Sequence, residues 1–223
     1  EAAAGGRGGV RERVLVARAR AEADRLEPLR GLAVDVDLLA DAGARIEEVS
    51  LPWSVPLDDL WAKHWAVYLA TFFGHKLPEF RDKMDPKVVA YLDRGLAMSA
   101  VEFKSLEIER TRAWTEDLAP ILARHHALLC PTMGQPPVPH GGNDAQYWEV
   151  EADGTYRCLD VTSVFSLFGM CPALSVPCGF TAGTLPAGFQ LAGRPFDEIT
   201  LFRLGHAFQQ STGHHRQAPS LPA

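Results

Sequence analysis

No run in this sequence approaches the roughly 20 consecutive apolar residues that a membrane-spanning helix requires, and no signal peptide pattern stands at its start. Neither a membrane span nor secretion is therefore expected. Cysteine is scarce: Cys130, Cys158, Cys171 and Cys178 are the four present. They form no CxxC pair and no metal-ligand spacing, which speaks for reduced thiols in the cytoplasm rather than a disulfide framework. Cationic charge is short as well. The chain has 22 Lys and Arg against 28 Asp and Glu, a net charge of -6, so a clustered basic surface for nucleic acid is not expected. The paired histidines His125-His126 and His214-His215 lack HExxH or Cys/His companions, and adjacent residues diverge on a helix or strand, so no metal is expected. The glycines from Gly183 to Gly193 are not followed by a helix opening, so they make no dinucleotide site, and no cofactor is implied.

What is present is the composition of an ordered protein: 223 residues, 47% of them hydrophobic, enough for a real core in one domain or two. The first residue is Glu1 rather than Met, which reads as a processed or cut start. Residues 1–30 are an unassigned Ala/Gly/Arg-rich segment. Gly5, Gly6, Gly8 and Gly9 surround Arg7, and further arginines follow among alanines. It reads as a solvated helix after a flexible start, or as an end outside the fold.

From Gly31 onward helix and strand signals alternate, which predicts an α/β fold. Leu38 and Leu39 precede Gly43, a helix stop, and Ile46, Val49 and Leu51 read as a strand. Leu57, Trp61, Trp65, Tyr68, Leu69 and Phe72 make an aromatic helical stripe, expected in the core. Asp85-Pro86 starts a helix that Gly95 can close. Ser99 to Glu102 form a capping box, opening a helix that runs to about Arg124 with Pro120 kinking or splitting it. Ala127 to Cys130 read as a buried strand. Two short apolar strands between glycine and proline stops follow, and Asp197 caps a last helix bearing Leu201, Leu204 and Phe208.

Arg110 falls on the apolar stripe of Phe103, Leu106, Trp114 and Ile121. An arginine there is costly to bury without a partner. Either its stem packs while the guanidinium reaches solvent, or it points into a cleft and holds a polar or anionic group.

Five segments then carry a resemblance. Leu128-Leu129-Cys130-Pro131-Thr132, Phe165 to Gly179 and Leu185 to Gly193 are similar, in order and spacing, to the C-terminal part of the amidase signature family. That family shows "D-x-L-L-x-P-T", "F-N-x-x-G-x-P-A-x-S-x-P-x-G" and "G-L-P-x-G-x-Q-x-x-G". Upstream, Gly43 to Pro52 resembles "A-G-A-x-V-x-x-V-x-L-P", and Gly95, Ser99, Ala100 and Arg110 fall where the family places a glycine, a Ser-Ala pair and an arginine. The likeness covers roughly residues 33 to 212.

The resemblance implies part of the amidase-signature fold, a mixed β-sheet flanked by helices, with 31–223 as the C-terminal portion of an amidase domain. It implies an amidase-type hydrolase of carbon-nitrogen bonds. The substrate-binding residues carried over are Arg110, Thr162 and Asp160; Asp160 lies within about a residue of an acidic position that recognises a substrate amine in amidotransferase relatives. His126 departs from the family's aspartate, Ser166 from its asparagine and Thr184 from a common glycine. The largest departure is that no Gly/Ser-rich run is present to bring the family's Ser-Ser-Lys set, so no catalytic residue is assigned. The chain is expected to be inactive alone, its partners being a small-molecule amide and a serine-bearing N-terminal half or a homodimer partner. The alternatives are a non-catalytic module, or a fragment of the A-type component of a glutamine-dependent amidotransferase. A cysteine hydrolase at Cys130 or Cys178 is not expected, because both thiols sit in strand or turn contexts.

Overall fold

Val14, Leu15 and Val16 form a short apolar run between arginines, and β-branched side chains suit a pleated surface. In the computed structural model, which describes residues 13–17, 37–49, 54–133, 148–150, 156–158, 161–180 and 185–218, this run is a strand inside a sheet. That corrects the reading of 1–30 as a solvated helix or an end outside the fold, at Arg13–Ala17. The rest of 1–30 lies outside the described residues, as does the proline-rich stretch from Pro136 to Gly142.

Along the chain, β1 (Arg13–Ala17) is followed by α1 (Asp37–Asp41), β2 (Arg45–Val49), α2 (Leu57–Phe73), α3 (Leu77–Phe80) and α4 (Pro86–Ala97). Then come α5 (Ala100–Arg112), a π-helical turn (Ala113–Leu118), α6 (Ala119–Arg124), β3 (Ala127–Pro131), β4 (Trp148–Val150) and β5 (Tyr156–Cys158). α7 (Thr162–Ser166), β6 (Ala173–Phe180), β7 (Pro186–Gly193) and α8 (Glu198–Thr212) follow. The chain divides into two compact units: the first contains the strands β1, β2, β3, β6 and β7 with α1, α7 and α8, and the second contains α2 to α5 with β4 and β5.

The first unit is built on a five-stranded sheet of order β2-β1-β3-β7-β6. β2, β1 and β3 run parallel, while β7 is antiparallel to β3 and β6 antiparallel to β7. The expected α/β fold with a mixed sheet is therefore observed. Alternation places Leu129, Leu191 and Leu174 in one cross-strand row and Pro131, Phe189 and Val176 in the next, on the same face. Leu39, Leu201, Leu204 and Phe208 pack with that face in one apolar core, Phe208 meeting Phe189 edge-on at 4.9 Å. α8 starts as the sequence indicates: Asp197 accepts from the Thr200 amide at 3.3 Å, and Gly213 at φ 69° ends it. Gly43 at φ 103° likewise ends α1.

β3 is buried from Ala127 to Cys130. The helix before it is tied down by two side chains. Arg194 Nε donates to the carbonyls of Leu122 (2.8 Å) and His125 (3.0 Å) at the end of α6. His125, itself buried, contacts Glu47 Oε2 on β2 at 2.9 Å and the Ile121 carbonyl at 3.1 Å. As glycine stops of the sequence, Gly169, Gly179 and Gly188 are expected to permit tight turns. Gly179, at φ 118°, does need glycine. Gly188 lies inside β7 beside the Thr132 and Ser175 hydroxyls, so the turn reading is corrected there. Gly169 does lie in a turn, closed by the Cys171 amide donating to the Phe168 carbonyl at 2.7 Å, without a positive φ.

In the second unit the most extensive helix contact is between α2 and α4, and small residues line it. Ala62, Ala66 and Ala70 are the buried face of α2 together with Leu57, Asp59 and Leu60. Gly95 is seated against Ala66 and Ala70. It does not close α4, which continues to Ala97; the stop expected there is corrected to a packing contact. The aromatic stripe is corrected too. Trp61, Trp65, Tyr68 and Phe72 stack in succession at 5.6, 5.2 and 4.7 Å, but Tyr68 and Phe72 are 52% and 54% exposed, because the alanine face, not the aromatic one, meets α4. Buried Asp59 pairs with Lys63 and, at 3.7 Å, with Arg94 of α4. The Asp85 cap and the Ser99–Glu102 capping box are both observed. Pro120 has no N–H to give the fourth carbonyl back, and the π-helical turn directly before it takes up that irregularity. Asp117 on this turn accepts from the Ser54 amide and hydroxyl at 2.9 and 2.8 Å.

Candidate functional site

The capping box sets the start of α5: Ser99 Oγ accepts from the Glu102 amide at 3.2 Å, and Glu102 returns the bond to the Ser99 amide at 2.8 Å. From that fixed start, Phe103 and Leu106 turn one side of the helix inward, Leu106 buried and Phe103 half-buried. Arg110, one turn further, has a side chain 39% exposed. Its guanidinium is not committed: the ion-pair geometry to Glu107 Oε1 is 3.9 Å, too long for a hydrogen bond. Glu107 is instead held by Lys104, whose hydrogen bond keeps the Glu107 carboxyl below its ordinary range. A planar fork of N–H donors in this state can take a carboxylate or carbonyl oxygen in bidentate fashion.

Of the other two residues expected at a site, Thr162 is the first residue of α7 in the first unit and is half-buried, its carbonyl accepting from Ser166 Oγ at 3.2 Å. Asp160 lies outside the described residues. Arg110 belongs to the second unit and Thr162 to the first.

One residue that sequence reasoning did not single out is His64 on α2. Its ring meets Phe103 edge-on at 5.6 Å, Nδ1 bonds the Leu60 carbonyl at 2.9 Å, and Nε2 is buried without a hydrogen-bond partner. Burial pushes the imidazole below its ordinary value; the Leu60 carbonyl offsets part of this and the Arg110 charge adds to it. A histidine between aromatic residues carries no signal in the sequence for any of this.

A second polar cluster lies on the sheet face opposite Phe189. Thr132 Oγ1 and Ser175 Oγ are 3.2 Å apart, and buried Gln190 donates from Nε2 to the Pro131 carbonyl at 3.2 Å. Gln190 thereby ties β7 to the end of β3. Among the described residues no base is hydrogen-bonded to either hydroxyl. Cys130, Cys171 and Cys178 are free, and these three thiols offer no alternative nucleophile. Burial pushes Cys130 up to about 12, against a lowering contact from Gln190, and Cys171 up to about 11; Cys178 is raised as well. A thiol that stays protonated is a poor nucleophile. Iodoacetamide at pH 8 is accordingly expected to leave Cys130 and Cys171 unmodified in the folded chain and to modify both in urea. Fast alkylation of either in the native chain, read by peptide mass, contradicts that picture.

Among the described residues no three His, Cys, Asp or Glu are grouped to hold a metal ion, and no helix is long and apolar enough to cross a membrane.

A family model described as Amidase matches residues 29–202. Among curated proteins, the A-type component of the glutamyl-tRNA(Gln) amidotransferase of Desulforudis audaxviator is 31% identical over 208 residues, covering 82% of this chain and 41% of that protein. Putative amidase AmiD of Mycobacterium tuberculosis is 35% identical over 158 residues, 70% of this chain and 32% of that one. The chain thus spans well under half the length of these relatives. A bacterial aryl acylamidase of the amidase signature enzymes is similar in structure, with a TM-score of 0.74 at 19% identity over 93% of this chain and 45% of the acylamidase. A crystal structure described as an amidase gives 0.68 at 24%, over 91% of this chain and 46% of that one. At these identities the two structures speak for the fold.

Proposed function

The chain belongs to the amidase signature family, and from that premise we propose that it is the substrate-holding portion of an enzyme that hydrolyses amide carbon-nitrogen bonds. The single observation behind this is Arg110: a partly exposed guanidinium on a capped helix, without a short ion pair, at a position that resembles the family's arginine. Its role is to hold a carboxylate or carbonyl oxygen of a small amide. Attack on that amide needs a serine whose proton is taken as it reacts and an oxyanion hole opposite. The family draws these from a Ser-Ser-Lys set in a Gly/Ser-rich region, which is not among these 223 residues. In this reading the set comes from a serine-bearing partner segment or chain. Thr162 and Asp160 are proposed as further substrate contacts. The free thiols fit a reducing compartment such as the cytoplasm.

The breadth of the match to the amidotransferase component, 82% of this chain, favours as second reading a piece of an enzyme that takes ammonia from glutamine. Restoring a serine-bearing amidase segment and assaying ammonia release from simple amides and from glutamine separates the two. Arg110→Leu in that assembly is expected to raise KM at least tenfold, since charge-assisted bonds contribute about 1.5–3 kcal/mol. Unchanged KM and kcat remove Arg110 from the substrate site.

A further inference from the structure

We propose that His64 is a positioning residue for Arg110: its Nε2 accepts an N–H of the guanidinium and so aims the rest of the fork at an anionic or carbonyl oxygen of the ligand. This rests on the reading of Arg110 as a substrate contact.

The Leu60 carbonyl can only accept, so at 2.9 Å it fixes the proton of a neutral imidazole on Nδ1. Nε2 is then a bare lone pair. It is buried and has no hydrogen-bond partner, an arrangement a folded protein keeps at a cost. The edge-on contact with Phe103 holds the ring plane. Phe103, Glu107 and Arg110 are spaced along one side of α5 at i, i+4 and i+7. Of the charged groups of α5 that act on His64, Glu107 and Glu109 have no proton to give. Arg110 alone of these can donate. Its present pairing with Glu107, at 3.9 Å, is loose, and Glu107 is already engaged by Lys104. A rotation of the long Arg110 stem from Glu107 toward Nε2 would satisfy the imidazole and fix the fork at once. A neutral His64 is required for this, because an imidazolium would repel the guanidinium; its burial favours that form.

The test uses the full chain, ¹⁵N-labelled at histidine and titrated with acetate and with acetamide against sodium chloride of equal ionic strength at neutral pH. The Nε2 resonance of His64 is expected to move from the position of a free imine nitrogen toward that of an acceptor as either probe saturates. His64→Phe, which keeps the ring shape without the acceptor, is expected to weaken probe binding roughly tenfold, and His64→Gln, which retains an acceptor oxygen, to restore most of it. Arg110→Leu abolishes binding. If His64→Phe binds like the wild type while Arg110→Leu does not bind, the positioning role is overturned and the Arg110 reading stands. If Arg110→Leu binds unchanged, the Arg110 reading falls and this one with it. Should His64→Phe fail to fold, the wild-type spectrum decides, since an Nε2 resonance unmoved by both probes overturns the proposal.

Discussion

Gly95→Val is expected to destabilise the second unit by about 3 kcal/mol or more, the upper range for forcing atoms into a filled contact. A β-carbon at this position would stand 2.1 Å from the Ala66 carbonyl oxygen and 2.7 Å from the Ala70 methyl. Those atoms belong to a buried helix face, so the clash cannot be relieved by turning a flexible side chain. α4 has to retreat from α2, and the Asp59–Arg94 pair at 3.7 Å, which spans the same two helices, lengthens with it. Gly95→Ala meets the same oxygen and is expected to cost at least 1 kcal/mol, although alanine is the better helix former by about 1 kcal/mol. Ala90→Val, on the exposed side of the same helix, is the control and is expected to cost about 0.5 kcal/mol. Hydrogen exchange of the α2 and α4 amides reads all three. Equal protection in Gly95→Val and the wild type would mean that the two helices do not touch as described.

Phe208→Ala is expected to cost about 3–5 kcal/mol, the usual range for truncating a buried phenylalanine. Phe208 is 1% exposed and closes on Phe189, itself fully buried in β7. Removing the ring leaves a cavity between α8 and the sheet and unpairs an edge-on aromatic contact. Denaturant titration followed by the protection of β7 amides measures this. Phe202→Ala on the same helix, at a ring 64% exposed, is expected to stay within about 0.5 kcal/mol. Similar losses at both positions would contradict the face that α8 presents to the sheet.

How far the fold was legible in the sequence follows from how local each signal is. Asp85-Pro86, Ser99–Glu102 and Asp197 cap helices through bonds spanning two or three residues, so the residue types themselves carry the message. The pairing of β6 with β7 was foreshadowed by two apolar runs between glycine and proline stops. β1 was not legible: Val14 to Val16 is too short to outweigh the flanking arginines, and its strand state comes from pairing with β2 and β3, far away in sequence. Gly95 was misread because a glycine near a helix end resembles a stop. Only the neighbouring helix shows that its missing side chain is the point. The aromatic stripe was misread for the complementary reason, since hydrophobicity favours tryptophan inside while close helix approach favours alanine.

Arg110 stood out in the sequence because an arginine on an apolar stripe breaks a pattern. His64 breaks none; its bare Nε2 exists only once Leu60 and Phe103 are placed around it. The family likeness supplied the fold and the expected chemistry, and the residues themselves supplied the exclusions. Cys130 and Cys171 are held protonated by burial, and Thr132 and Ser175 face each other, so none of these four is an activated nucleophile.

The most direct measurement of the central claim, that this chain shapes and holds the substrate while the attacking hydroxyl comes from elsewhere, is fluorophosphonate treatment of the folded chain followed by intact-mass analysis. The predicted result is unlabelled protein that releases no ammonia from simple amides. Stoichiometric labelling of one serine, accompanied by turnover of an amide, would contradict it.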